Sequence, residues 1–124
     1  MNHRSRFIDS LRHAWSGLLL AFSSEKSFRL LLMAACGVFV IIVLLPLKDW
    51  ERVMMLLATG SVLVLELLNS MIERLVDLVK PRMHGYVHDI KDLMAATVLL
   101  ASLFAFAVVS LIVWPHLSQV IHRV

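Results

Sequence analysis

The chain has a single cysteine, Cys36, set in an apolar run, so no disulfide can form within it. Glycine is also sparse. Gly17, Gly37, Gly60 and Gly85 are the whole supply, and their spacing contains neither a P-loop nor a dinucleotide fingerprint. Charge is absent from two long stretches, residues 30–47 and 93–114. A cleavable signal peptide is not expected, because Arg4, Arg6, Asp9, Arg12, Glu25, Lys26 and Arg29 leave no clean apolar region near the start. His84 and His88 stand at i, i+4, but no glutamate follows His84 and no third ligand is evident, so a zinc site is not expected either. Internal repeats and low-complexity segments are lacking too.

What is present is apolar. Of 124 residues, 60% are hydrophobic, with a mean hydropathy of +0.83. A chain this short cannot bury that much apolar surface in its own core, and a bilayer is the simpler solvent for it. Residues 1–124 read as one domain of an all-α integral membrane protein. Three apolar segments, at about 30–47, 53–79 and 93–114, are each near the roughly 20 residues that span hydrocarbon. The third is expected to end before Pro115, and Lys80 before Pro81 is expected to end the second near Val79. Residues 4–22 differ. Phe7, Ile8, Leu11, Trp15, Leu18, Leu19 and Phe22 recur on one helical face, with Arg4, Asp9, Arg12 and His13 on the other. That is the pattern of an amphipathic helix lying in the membrane interface.

Lysine and arginine set the expected topology. Arg4, Arg6, Arg12, Lys26 and Arg29 precede the first span, and Arg74, Lys80, Arg82 and Lys91 lie between the second and third. Only Lys48 and Arg52 lie in the first loop. The heavy side should be cytoplasmic, with the loop at Trp50 outside and the C-terminus outside.

The second segment alone carries charge in its interior. Glu66, Asn69, Glu73 and Asp77 fall within roughly 80° of one another on a helix. A carboxylate at the centre of a span costs about 2.5–3.5 kcal/mol on insertion scales. Such a stripe therefore faces a protein interior or a ligand, or joins helices in an oligomer. Glu25, Lys26, Glu73, Asp77, His84, His88, Asp89, Lys91 and Asp92 all fall on the expected cytoplasmic side. Glu66 sits about 10 Å deeper by helical rise. A carboxylate at headgroup depth suits proton removal from a lipid hydroxyl, and surface carboxylates suit Mg²⁺. Lys91-Asp92 as an interfacial anchor and Glu25-Lys26 as a solvated turn are the plainer readings of those pairs.

Glu66-Leu-Leu-Asn69-Ser70-Met-Ile-Glu73-Arg-Leu-Val-Asp77 closely resembles the signature of the prokaryotic diacylglycerol kinase family. Ala14-Trp15-x-Gly17, then Ala21-Phe22 and Glu25-Lys-x-Phe28-Arg29, resemble its N-terminal region, and His84-x6-Lys91-Asp92 resembles its last block. The resemblance covers Arg6 to Trp114 and implies an N-terminal surface helix and three transmembrane helices per subunit. It also implies a homotrimer in the bacterial inner membrane, with sites formed between subunits at the cytoplasmic face. It implies transfer of the γ-phosphate of ATP, with Mg²⁺ as cofactor, to a lipid alcohol, and no nucleic-acid partner. Carried over by position, Glu66 would be the catalytic base and Glu25 and Glu73 would hold Mg²⁺. Arg6, His13, Glu25, Glu73, His84, Lys91 and Asp92 would bind ATP. Arg6, Trp15, Glu66 and Asn69 would bind the lipid.

The chain also departs from the family pattern. His13 stands where some members have tyrosine, and Arg82 where many have glutamate. After Phe28-Arg29 come Leu30-Leu31-Leu32, where some diacylglycerol kinases have a second acid, so this region resembles the undecaprenol kinase branch. Diacylglycerol is the expected acceptor and undecaprenol the alternative. A non-enzymatic membrane interaction protein, its stripe serving only to join helices, is the competing class.

Overall fold

The computed structural model describes residues 3–79, 82 and 84–121, with side chains from Arg6 onward except that of His84. Within them every regular element is an α-helix: α1 (His3–Ser24), α2 (Lys26–Leu44), α3 (Asp49–Val79) and α4 (His84–Ile121). The last three are long and apolar enough to cross a membrane. α3 is the shared element, packing against both α4 and α2, while α1 rests on α2.

The joint between α1 and α2 is one residue long. Glu25 has extended backbone, φ −108° and ψ 109°, and its side chain makes no cap to α2. The helical hydrogen bonding nearly continues across it, since Glu25 N donates to Ala21 O at 2.9 Å and Arg29 N to Glu25 O at 3.3 Å. Helix α1 ends with carbonyls that need donors. Arg29 supplies them, its guanidinium donating to Phe22 O at 2.9 Å and Ser23 O at 3.0 Å.

At the other end, Pro46 forces the preceding Leu45 to extended backbone, φ −88° and ψ 145°, and α2 stops. Helix α3 then starts at Asp49, with Asp49 and Glu51 in its first turn, where carboxylates complement exposed N–H groups. Glu51 accepts from the backbone N–H of Lys48 at 2.7 Å. The core lies at this end: Ile42 and Leu47 meet Met55 of α3 and Ile112 of α4, with Val38, Ile41, Val108 and Val109 around them. Three hydroxyls within the spans are satisfied in their own helix. Ser61, Thr97 and Ser102 donate to Leu57, Leu93 and Val98 carbonyls.

Three long helices cover the expected apolar segments, and several helix ends lie elsewhere than those of the segments. Helix α3 stops at Val79 as Pro81 dictates, with Arg82 N turned back to Val79 O at 3.1 Å; Lys80 and Pro81 themselves lie outside the described residues. Helix α2 starts at Lys26 rather than near 30 and ends at Leu44 rather than 47. Helix α3 starts at Asp49 rather than 53. Helix α4 starts at His84 rather than 93 and does not end before Pro115 but runs through it to Ile121. Hydropathy marks the apolar centre of a helix, and the polar turns that extend it carry no such mark. Pro115 has no N–H for Leu111 O, the carbonyl four residues back; beside it the His116 ring donates through Nδ1 to Ile112 O at 2.8 Å. Nε2 of the same ring lies 3.5 Å from Glu51, so α4 is fastened to the start of α3.

Candidate active site

Polar residues occupy two faces of α3. Glu66 and Asn69 turn toward α2 and α4, lining a groove of about 400 Å³ with Ser27, Leu30 and Leu31 of α2 and Ala95, Val98 and Ser102 of α4. Glu66 is 3% exposed, the most buried charged group among the described residues. The hydroxyl of Ser27 donates to its Oε1. Asn69 points its Nδ2 toward Glu73 Oε1 at 3.5 Å, a weak contact, and its buried Oδ1 has no partner among the described residues. An amide oxygen left bare in this way is an acceptor in want of a donor.

Away from the carboxylate the groove turns apolar. A second trough of about 230 Å³, walled by Ala34, Ala35, Thr59, Val62 and Ala105, shares Leu31 and Ser102 with it. Glu66 thus lines a groove between three helices, with an apolar trough adjoining it at Leu31 and Ser102.

The other face of α3 looks at α1. Ala14, Gly17, Leu18 and Ala21 of α1 face Leu67, Ser70, Met71 and Arg74 across a groove of about 330 Å³. Arg74 closes its end, donating to Ser24 Oγ at 2.7 Å and Glu25 Oε1 at 2.9 Å. Farther along, Lys91 of α4 donates to Asp77 Oδ1 at 2.6 Å, and Asp92 lies 3.3 Å from His88. These contacts tie α1, α3 and α4 together at the end that holds Glu25.

The expected site residues therefore fall into groups. Glu66 and Asn69 share one groove. Glu73 is joined to that groove through Asn69, and Glu25 is held by Arg74. Lys91 and Asp92 lie in the third turn of α4, Lys91 against Asp77 of α3 and Asp92 against His88 one turn back. Arg6, His13 and Trp15 lie exposed on α1, and Arg6 stands about 27 Å from Ser24 by helical rise. None of these three lines the Glu66 groove. The side chain of His84 lies outside the described residues. Ser27 and Arg74 are additions. Arg74 counts in the sequence only as one more positive charge, and Ser27 carries no signal beyond lying two residues after Glu25.

Among the described residues no three His, Cys, Asp or Glu side chains gather as a cage for a metal. Glu25 and Glu73 offer carboxylate oxygens only, a donor set that matches Mg²⁺ bound chiefly through substrate phosphates rather than by a protein cage.

Residues 12–113 match the model of the family described as Prokaryotic diacylglycerol kinase. The chain is similar to an undecaprenol kinase of Bacillus subtilis, 34% identical over 112 residues, covering 90% of this chain and 87% of that protein. It is also similar to a diacylglycerol kinase of Escherichia coli K12, 30% identical over 112 residues, covering 90% of this chain and 92% of that one. A family match over most of the length, joined to three long apolar helices with a buried carboxylate between them, makes this chain a multi-pass membrane protein of the prokaryotic diacylglycerol kinase family.

Proposed function

We propose that the protein is an ATP-dependent lipid kinase that phosphorylates the hydroxyl of diacylglycerol, giving phosphatidic acid. The observation that carries the reading is the placement of Glu66: a buried carboxylate lining a groove that adjoins an apolar trough. A lipid alcohol has the matching form, a hydroxyl at the end of an apolar tail. Glu66 takes the hydroxyl proton as the alcohol oxygen bonds to the γ-phosphorus, and the bond from that phosphorus to the β–γ bridging oxygen breaks, releasing ADP. Asn69 Oδ1, lacking a partner, orients the acceptor headgroup.

Mg²⁺ with ATP supplies charge neutralisation at the phosphates. Glu25 and Glu73 would hold it, and Arg74, 2.9 Å from Glu25 Oε1, ties Glu25 to α3. Lys91 and Asp92 serve the nucleotide from α4, with His84 at the start of the same helix the third expected contact. Arg6, His13 and Trp15 reach an active site only from a neighbouring subunit, which accords with a homotrimer whose sites lie between chains. The site faces the cytoplasm of a bacterial inner membrane, on the lysine and arginine distribution.

Undecaprenol is the second acceptor. Leu30 and Leu31 line the Glu66 groove where some diacylglycerol kinases have an acid nearby, and the similarity to an undecaprenol kinase is as strong as to diacylglycerol kinases. Phosphorylation of both alcohols from labelled ATP by the purified protein tests the acceptor. In the same assay Glu66→Gln should remove turnover by about 100-fold or more while leaving the oligomer intact. Turnover retained by that variant refutes the base.

A further inference from the structure

We propose that Ser27 is a positioning residue for this reaction: its hydroxyl fixes the Glu66 carboxylate in the groove and leaves the second carboxylate oxygen for the substrate alcohol. The inference rests on the reading of Glu66 as the base.

The behaviour of the other helix serines makes Ser27 stand out. Ser10, Ser16, Ser24, Ser61 and Ser102 each donate to the carbonyl four residues back in their own helix. Ser27 does not. The carbonyl four residues before it, Ser23 O, lies across the break at Glu25 and already accepts from the Arg29 guanidinium. The Ser27 hydroxyl is directed instead to another helix, donating to Glu66 Oε1. A one-residue joint and an arginine cap thus release a hydroxyl at the one place where it meets the buried carboxylate.

The chemistry of the pair is unequal. A hydroxyl has one proton to give, and a carboxylate has two oxygens to receive. With Oε1 taken by Ser27, the carboxyl plane is set and Oε2 serves the lipid hydroxyl. Ser27, Glu66 and Asn69 line one groove, so the fixed carboxylate and the bare amide oxygen flank the same space. Holding a reacting group in its productive geometry is worth large factors in rate, and a hydrogen bond to a charged group is among the stronger ways to do it. Ser27 also stands two residues from Glu25. It therefore couples the orientation of the base to the corner where Arg74 holds the proposed metal carboxylate.

The test uses the full chain in mixed micelles, with labelled ATP and with diacylglycerol and undecaprenol in parallel. Ser27→Ala, Ser27→Thr and Glu66→Gln are compared with the parent. Ser27→Ala should lower kcat by roughly 10- to 100-fold, the scale of a lost hydrogen bond to a charged partner, with KM for MgATP within about twofold. Ser27→Thr keeps the hydroxyl and should restore most of kcat. Alanine is smaller and a better helix former than either, so helix formation or crowding does not account for a loss in the alanine variant alone. Full activity of Ser27→Ala beside an inactive Glu66→Gln overturns the positioning role and leaves the base intact. Equal losses in the alanine and threonine variants assign Ser27 to packing and also overturn it. An active Glu66→Gln removes the base, and the inference with it.

Discussion

Glu25 and Arg74 meet at 2.9 Å with their side chains 23% and 50% exposed, so water screens the pair and its own contribution to stability is about 1 kcal/mol or less. Its value is orientation. Glu25 sits at a joint where its side chain caps nothing, and without Arg74 it would be free to turn away from α3. Glu73 is held less firmly, by the long contact from Asn69. Replacing Glu73 with Gln removes a charge without changing shape. That variant should need several-fold more Mg²⁺ for half-maximal turnover, and an unchanged Mg²⁺ dependence would count against the metal role. At this scale the sequence was partly legible. The glutamate motif pointed to Glu66, Asn69 and Glu73 because a charge in a membrane helix is costly wherever it is idle. Ser27 was not legible, because a serine near a helix start is ordinary and only the fold shows which carboxylate lies opposite.

At the scale of elements, the ends of the helices depend on single polar side chains. Arg29 closes α1 by serving the carbonyls of Phe22 and Ser23. Arg29→Ala should loosen the last turns of α1 by about 1 kcal/mol. Amide exchange should then quicken over residues 18–24 while α3 stays protected; uniform exchange across all helices would mean that the cap is not local. The two prolines with opposite effects belong here too. Pro46 ends α2 by holding Leu45 in extended backbone, and α3 starts soon after, with Lys48 N donating to the Glu51 carboxylate. Pro115 ends nothing: α4 runs on to Ile121, with the His116 ring donating to Ile112 O one turn back and lying 3.5 Å from Glu51. Proline signals a break in either case, and the sequence alone does not say whether the helix resumes beyond it. That is why the apolar centres of the spans could be read from hydropathy and the two ends of α4 could not.

For the whole molecule, the balance of surface and core is that of a membrane subunit. Phe104, Phe106, Leu111 and Trp114 are each more than 70% exposed on the single chain, and the buried cluster around Met55 is small. Lipid or further copies of the chain must cover the rest. The proposed site geometry needs Glu25 and the start of α4 on one side of the membrane and Trp50 on the other. With Cys36→Ala as background, Trp50→Cys should react with an impermeant maleimide from outside the cell, and Arg82→Cys only after permeabilisation. The reverse pattern would invert the topology. The fold class and number of spans were legible from composition and length. The way α3 serves α1 with one face and the Glu66 groove with the other was not, because helical spacing gives relative angles within one helix and says nothing of which neighbour fills each sector.

The single extended residue at Glu25 makes α1 a lever arm. With one residue between two rigid helices, the direction of α1 is set by two backbone torsions. A swing of 10° about that point carries Arg6 through about 5 Å, given roughly 27 Å of helix between them. Arg74 grips the molecule beside the fulcrum, at Ser24 and Glu25. A change of a few tenths of an ångström in that grip is therefore magnified many times at the far tip, where a neighbouring chain would feel it.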